Sequence, residues 1–169
     1  LTRRWRLYEA LWRSSDSPLE YWPKCDGAIL GGAAPDVFRR IRKKSRHVVI
    51  CSGSADPAVT PVVALDDLEA GRLAANHLME CQLEKFSVDG SRPGAHVGGK
   101  RRTGFQAALA ERNLNCINCP VEAPSDREWL THSHRPRLTK WLRALPKPIG
   151  IMAFDDASAH DLAAACLEA

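Results

Sequence analysis

The chain has 169 residues, 44% of them hydrophobic, and a formal charge of +4 from 24 basic and 20 acidic side chains. That length suits one ordinary core or two small lobes. No apolar run reaches membrane-spanning length, and the basic excess is local rather than global.

Residues 5–12 alternate enough for a strand, with Trp5, Leu7 and Leu11 set against Arg4, Arg6 and Glu9. Residues 14–18 read as a turn and 19–23 as a short helical turn. Residues 26–32 are a strand closed by glycines. A helix follows over 35–45, with Pro35 suited to its first turn and Val37, Phe38 and Ile41 inward. Arg39, Arg40, Arg42, Lys43, Lys44 and Arg46 crowd its end. No aromatic residue interleaves them, so they read as a solvated helix end and not as an operator-reading surface. Residues 47–51 are the next strand, ending in a polar loop over 52–57.

In residues 61–78, Val62, Val63 and Leu65 form an apolar run of the kind a buried parallel strand shows. Asp66 and Asp67 end it, and either can cap the helix that follows. Leu68, Leu73, Ala74 and Leu78 fall mostly on one face of that helix. Ligands of parallel α/β sheets sit at such strand-to-helix turns, but spacing alone favours simple capping.

Residues 84–89 begin another strand, and 90–99 are a glycine-rich loop. Residues 101–112 are a helix with Phe105, Ala108 and Leu109 inward. A strand over 115–121 precedes a long helix over 125–145, broken or kinked at Pro136. Residues 149–154 are a strand and 155–168 an alanine-rich helix. The alternation predicts an α/β fold with parallel sheets and helices on both faces. A polar turn at 80–85 sets the expected boundary between an N-terminal lobe, 1–83, and a C-terminal lobe, 84–169.

Six cysteines are scattered through these patterns and read as reduced, core-type thiols. Cys116 and Cys119, followed by His132 and His134, nearly match a zinc finger, but one residue between the histidines is the wrong spacing. No metal or cofactor is expected. The glycines complete neither a phosphate loop nor a dinucleotide fingerprint. Asp155 and Asp156 invite comparison with a glycosidase pair, but adjacent residues at a strand end point in different directions. No nucleophile–base constellation is present, so an enzyme is not expected.

Three stretches resemble the effector domain of the lactose/galactose-repressor type of regulator. They are Val62 to Leu78 with Asp66 and Asp67, the helix start Arg101-Arg102-Thr103-Gly104-Phe105, and the strand from Pro148 that ends in Asp155-Asp156. Glu122-Ala123-Pro124, Trp129, Trp141-Leu142 and Leu145-Pro146 look like the xylose-operon branch. The resemblance implies a periplasmic-binding-protein-like fold of type I, with two Rossmann-like lobes, incomplete at both ends of this chain. It implies a small sugar effector such as a pentose, and a bacterial, cytoplasmic, homodimeric regulator. DNA would be bound through a helix-turn-helix domain absent from this chain. The runner-up is a stand-alone sugar-binding transport protein, which would need a secretion signal; Leu-Thr-Arg-Arg-Trp-Arg contains none.

In such a family Arg101 reaches the effector hydroxyls, and its fork of donors suits them. Asp155 matches a ligand-facing position and Asp156 the capping one, with a doubly capped helix as the alternative. Asp66 is expected to face both from the first lobe. Glu122 and Ser91, in loops expected at the carboxyl ends of their strands, complete the candidate ligand set.

Overall fold

A computed structural model describes residues 6–8, 23–31, 35–51, 60–89, 96–121 and 132–169. The chain divides into two compact units, Leu1–Ala64 and Leu65–Ala169.

In the first unit, alternation in β1 (Cys25–Leu30) and β2 (Ser45–Cys51) sends every second side chain to one face. Ala28, Leu30, Val48 and Ile50 bury that face against Val37 and Ile41 of α1 (Pro35–Arg42). β3 (Val62–Val63) completes a parallel sheet in the order β1-β2-β3. α1 stops at Arg42, short of the expected 45. Lys43 and Lys44 make a turn, with the Lys44 N–H on the Ile41 carbonyl at 2.8 Å. Arg39, Arg40, Arg42, Lys43 and Arg46 are exposed, as a solvated helix end requires.

The expected buried run at β3 does not hold. Val63 is 64% and Leu65 73% exposed. β3 is the edge strand of the sheet, only two residues long and paired with β2 alone through Ile50 and Cys51, so no further strand flanks Val63. Residues 6–8 have no regular secondary structure, and the rest of the strand expected over 5–12 lies outside the described residues.

The second unit holds β4 (Phe86–Val88), β5 (Cys116–Asn118) and β6 (Gly150–Met152), parallel and ordered β5-β4-β6. The central strand is wholly buried. On one face, α2 (Asp67–Glu80) and α3 (His96–Ala110) pack Ala75, Phe105, Ala108 and Leu109 onto Phe86, Val88 and Met152. On the other, α4 (Arg135–Ala144) and α5 (Asp156–Glu168) pack Leu138, Leu142, Leu162 and Ala165 around Ile149, Ile151 and Ala153. The alternation of Ile149, Ile151 and Ala153 with Met152 thus places helices on both faces of this sheet.

α2 packs with the second unit, so the division falls after Ala64 and not at the polar turn over 80–85. The cause is a pair of glycines. A Cβ on Gly71 would lie 1.9 Å from the Arg101 carbonyl oxygen, and one on Gly104 would lie 2.0 Å from that of Leu68. Backbone meets backbone where α2 crosses α3, which only residues without a side chain permit. The buried face of α2 is therefore Gly71 and Ala75, while Leu68 and Leu73 are exposed, contrary to expectation.

α3 begins at His96, inside the expected glycine loop. α4 begins at Arg135, so Pro136 sits in a first turn and kinks nothing; its missing N–H is unneeded there. The six cysteines are free, but they are not core thiols. Cys81 and Cys166 are exposed and the other four half-buried.

α4 and α5 are also joined by charge. Asp161, buried, accepts from His134 Nε2 at Oδ2 and from Arg135 Nη2 at Oδ1, the latter at 2.8 Å. Burial pushes the Asp161 carboxyl up, but the hydrogen bonds and charges of Arg135 and His134 outweigh it and leave it below the usual value.

Candidate functional site

Parallel pairing puts the carboxyl ends of β4, β5 and β6 along one edge of the second sheet. Polar groups gather where these strands end. Arg101 stands in α3, brought to α2 by the glycine crossing just described. Its Nε donates to Asp67 Oδ1 at 2.8 Å and its Nη1 to the Phe154 carbonyl at 2.8 Å. Its guanidinium also lies 5.7 Å from the Phe154 ring centre. The side chains of Arg101 and Asp67 are 24% and 11% exposed, so the pair is sheltered but reachable. Nη2 of Arg101 donates to no described group.

Of the acidic candidates, Asp66 and Asp155 are both helix caps. Asp66 Oδ1 accepts from the Glu69 N–H at 3.1 Å, and Asp155 Oδ1 from the Ser158 N–H at 2.7 Å. Asp155, not Asp156, is thus the cap of α5, and Asp156 is its first residue. Asp66 belongs to the same unit as Arg101 and Asp155, and does not face them from the other. Its neighbour Asp67 is the residue that meets Arg101. Glu122 and Ser91 lie outside the described residues. Arg101 and Asp155 are connected through Phe154, whose carbonyl Arg101 binds and whose chain neighbour is Asp155. Each cap uses one carboxylate oxygen, and Oδ2 of Asp155 remains available as an acceptor.

A further residue was missed in the sequence. Asp89 follows β4 and is only 6% exposed. Its Oδ2 accepts from the Phe154 N–H at 3.0 Å, while Arg102 Nη2 donates to its backbone carbonyl at 3.0 Å. Burial pushes its carboxyl up to about 6, only partly offset by the Phe154 hydrogen bond. An acid at the end of a buried apolar strand was the signal available.

The linkage sign for Asp89 is the reverse of the usual carboxylate case. Between the ordinary value and about 6, the folded protein keeps a proton that the unfolded chain has released. Stability therefore falls as pH rises through that window and stays low above it. The displacement from 3.8 to about 6 corresponds to about 3 kcal/mol, at about 1.4 kcal/mol per pH unit. Asp89→Asn keeps an acceptor for Phe154 and removes the charge. Urea midpoints measured from pH 4 to 8 should fall in the parent and stay level in the variant; equal slopes would contradict the assignment.

Among the described residues no group of three His, Cys, Asp or Glu side chains could hold a metal ion. No helix of the described residues is long and apolar enough to cross a membrane.

No family model and no curated protein matches the chain. Solved structures do. A LacI family transcriptional regulator from Enterococcus faecium with bound ribose superposes with a TM-score of 0.65 at 19% identity, over 85% of this chain and 53% of that one. The Cra transcriptional dual regulator of Pseudomonas putida, in complex with fructose 1-phosphate, gives 0.64 at 24% identity, over 86% and 53%. A periplasmic binding protein/LacI transcriptional regulator from Alkaliphilus metalliredigens, complexed with D-xylulofuranose, gives 0.61 at 17% identity, over 85% and 51%. The chain spans about half the length of these structures. Its parallel α/β architecture is the periplasmic-binding-protein-like fold of the LacI family regulators.

Proposed function

We propose that this chain is the sugar-sensing part of a bacterial DNA-binding transcriptional regulator, with a pentose such as xylose or ribose as effector. The observation that carries the reading is Arg101. It is braced by Asp67 and the Phe154 carbonyl at a strand-end edge, with a guanidinium nitrogen still to offer and Asp155 one residue beyond. A guanidinium fork and a carboxylate oxygen supply donors and acceptors matched to neighbouring hydroxyls. Support comes from folds of the same kind that hold ribose, fructose 1-phosphate and D-xylulofuranose.

The mechanism is non-covalent and calls for no cofactor. The sugar stabilises one conformation over another, and that preference reaches a separate helix-turn-helix domain, in a cytoplasmic homodimer. A sugar-binding transport protein is the second reading, since one neighbour is named as a periplasmic binding protein/LacI transcriptional regulator.

The test is thermal denaturation with D-xylose, D-ribose, D-xylulose, fructose 1-phosphate and D-glucose. A ligand at about a hundred times its Kd raises stability by about 2.7 kcal/mol, a shift of several degrees. A pentose should give that shift. No shift with any of the five would contradict the proposal.

A further inference from the structure

Asp89 has no part in the ligand set, yet it joins more of the edge than any residue in that set. Its N–H donates to the Met152 carbonyl at 3.1 Å and its Oδ2 accepts the Phe154 N–H at 3.0 Å. Phe154 is thereby gripped at both ends, by Asp89 at its N–H and by Arg101 at its carbonyl. The next residue is Asp155, which caps α5. We propose that Asp89 is the positioning residue of the sugar site, fixing through Phe154 the turn that presents Asp155 beside Arg101. This rests on the sugar-binding reading above.

The neighbourhood suits that role. The charged groups facing Asp89 are Arg102 from α3 and Asp155 from the turn itself, with Ser158 of α5 adding a weaker hydrogen bond. Arg102 is held to the Asp89 carbonyl, so the same residue ties α3 to the end of β4. An apolar side chain would end a buried strand without the burial penalty that raises this carboxyl to about 6. What an apolar side chain cannot do is accept the Phe154 N–H, which would then be left without that partner.

The experiment compares the parent with Asp89→Asn and Asp89→Ala by two readouts. The first is amide hydrogen exchange at Phe154, which needs no ligand. The second is calorimetric affinity for D-ribose and D-xylose, read beside the thermal midpoint. Asp89→Asn should stay within about threefold of the parent in both exchange and affinity, because the acceptor is kept. Asp89→Ala should speed exchange at Phe154 and weaken the sugar by about tenfold or more each, with a thermal midpoint close to the parent's. Parent-like exchange or affinity in Asp89→Ala overturns the proposal. So does an affinity loss that only tracks a fallen midpoint, which is what a purely structural role would give. Should neither sugar bind the parent, affinity is read with whichever sugar of the thermal panel does bind; should none of the five bind, the function proposed above fails and this proposal falls with it, while exchange still shows whether Asp89 holds Phe154.

Discussion

Gly104→Ala is expected to destabilise the protein by about 3 kcal/mol, the upper end of the usual cost of overpacking. The new methyl carbon would stand 2.0 Å from the Leu68 carbonyl oxygen and 3.0 Å from its Cα. Those are backbone atoms of α2, so no rotamer change relieves the clash and the helices must part. Parting them opens the packing of Ala75 against Phe105 and Phe86. Gly71→Ala should behave alike, since its Cβ would meet the Arg101 carbonyl and the Phe105 nitrogen. The double variant should cost well under the sum, because one separation accommodates both methyl groups. Urea midpoints check this. Full additivity, or a parent-like midpoint in either single variant, would mean that α2 and α3 do not cross at these glycines. The crossing also sets the site, for it brings Arg101 within reach of Asp67 at the first turn of α2.

Asp161→Ala is expected to lower stability by about 3–5 kcal/mol, as removal of one partner from a buried charged cluster does. The carboxylate answers two donors at once, His134 and Arg135, and both would be left in a sheltered place without it. Asp161→Asn should cost less, since an amide oxygen still accepts one of them. The pH dependence separates the charge from the shape. The folded carboxyl lies below its usual value, so its stabilisation is fully present above the unfolded value near 3.8 and is lost as pH falls through the folded one. Urea midpoints from pH 2 to 7 should therefore drop more steeply at the acid end in the parent than in Asp161→Asn. Identical acid limbs would show that Asp161 contributes no charge to the fold. Asp89 tilts the opposite way at higher pH, so the two carboxyls can be told apart in one titration.

The α/β alternation was legible because strand and helix periods differ. Val37 with Ile41, and Phe105 with Ala108 and Leu109, were read as inward faces and are buried. Phe86 and Val88 were likewise read into a strand and form the centre of the second core. The buried face of α2 is not legible from its hydrophobic residues, because it is centred on Gly71 and Ala75 while Leu68 and Leu73 are exposed. Gly71 contributes no apolar area of its own; what it supplies is close approach, which depends on Gly104 some thirty residues later in the chain. A local window sees neither partner. The exposed Val63 and Leu65 were misread for a similar reason, since composition cannot tell a two-residue strand from a buried one.

The site was legible in part. Arg101 was singled out from a motif, and it does stand at a strand-end edge among polar groups. Choosing between Asp66 and Asp67 needed the structure. Both are acidic, adjacent and at a helix start, and only the position of α3 shows which one meets Arg101. The same holds for Asp155 and Asp156, where the extended backbone of Asp155 makes it the cap. Asp89 closes the strand expected over 84–89, and nothing in its neighbours along the chain marks its side chain as buried. Its partner is Phe154, a residue 65 positions later whose N–H it accepts.

The most direct measurement is calorimetric titration of the protein with D-ribose, D-xylose and D-xylulose, in the parent and in Arg101→Ala and Asp155→Ala. Urea unfolding of each variant shows first that it is folded; Asp155→Ala should lose about 1 kcal/mol of capping. Loss of a charged hydrogen bond to a bound ligand costs about 2–3 kcal/mol, or about 30- to 150-fold in affinity. One of these pentoses should bind the parent, and both folded variants should bind it weaker by about that factor. A pentose that binds the parent and both variants equally well would leave Arg101 a brace for Asp67 and Phe154, and Asp155 a helix cap, and would contradict the sugar site placed on them.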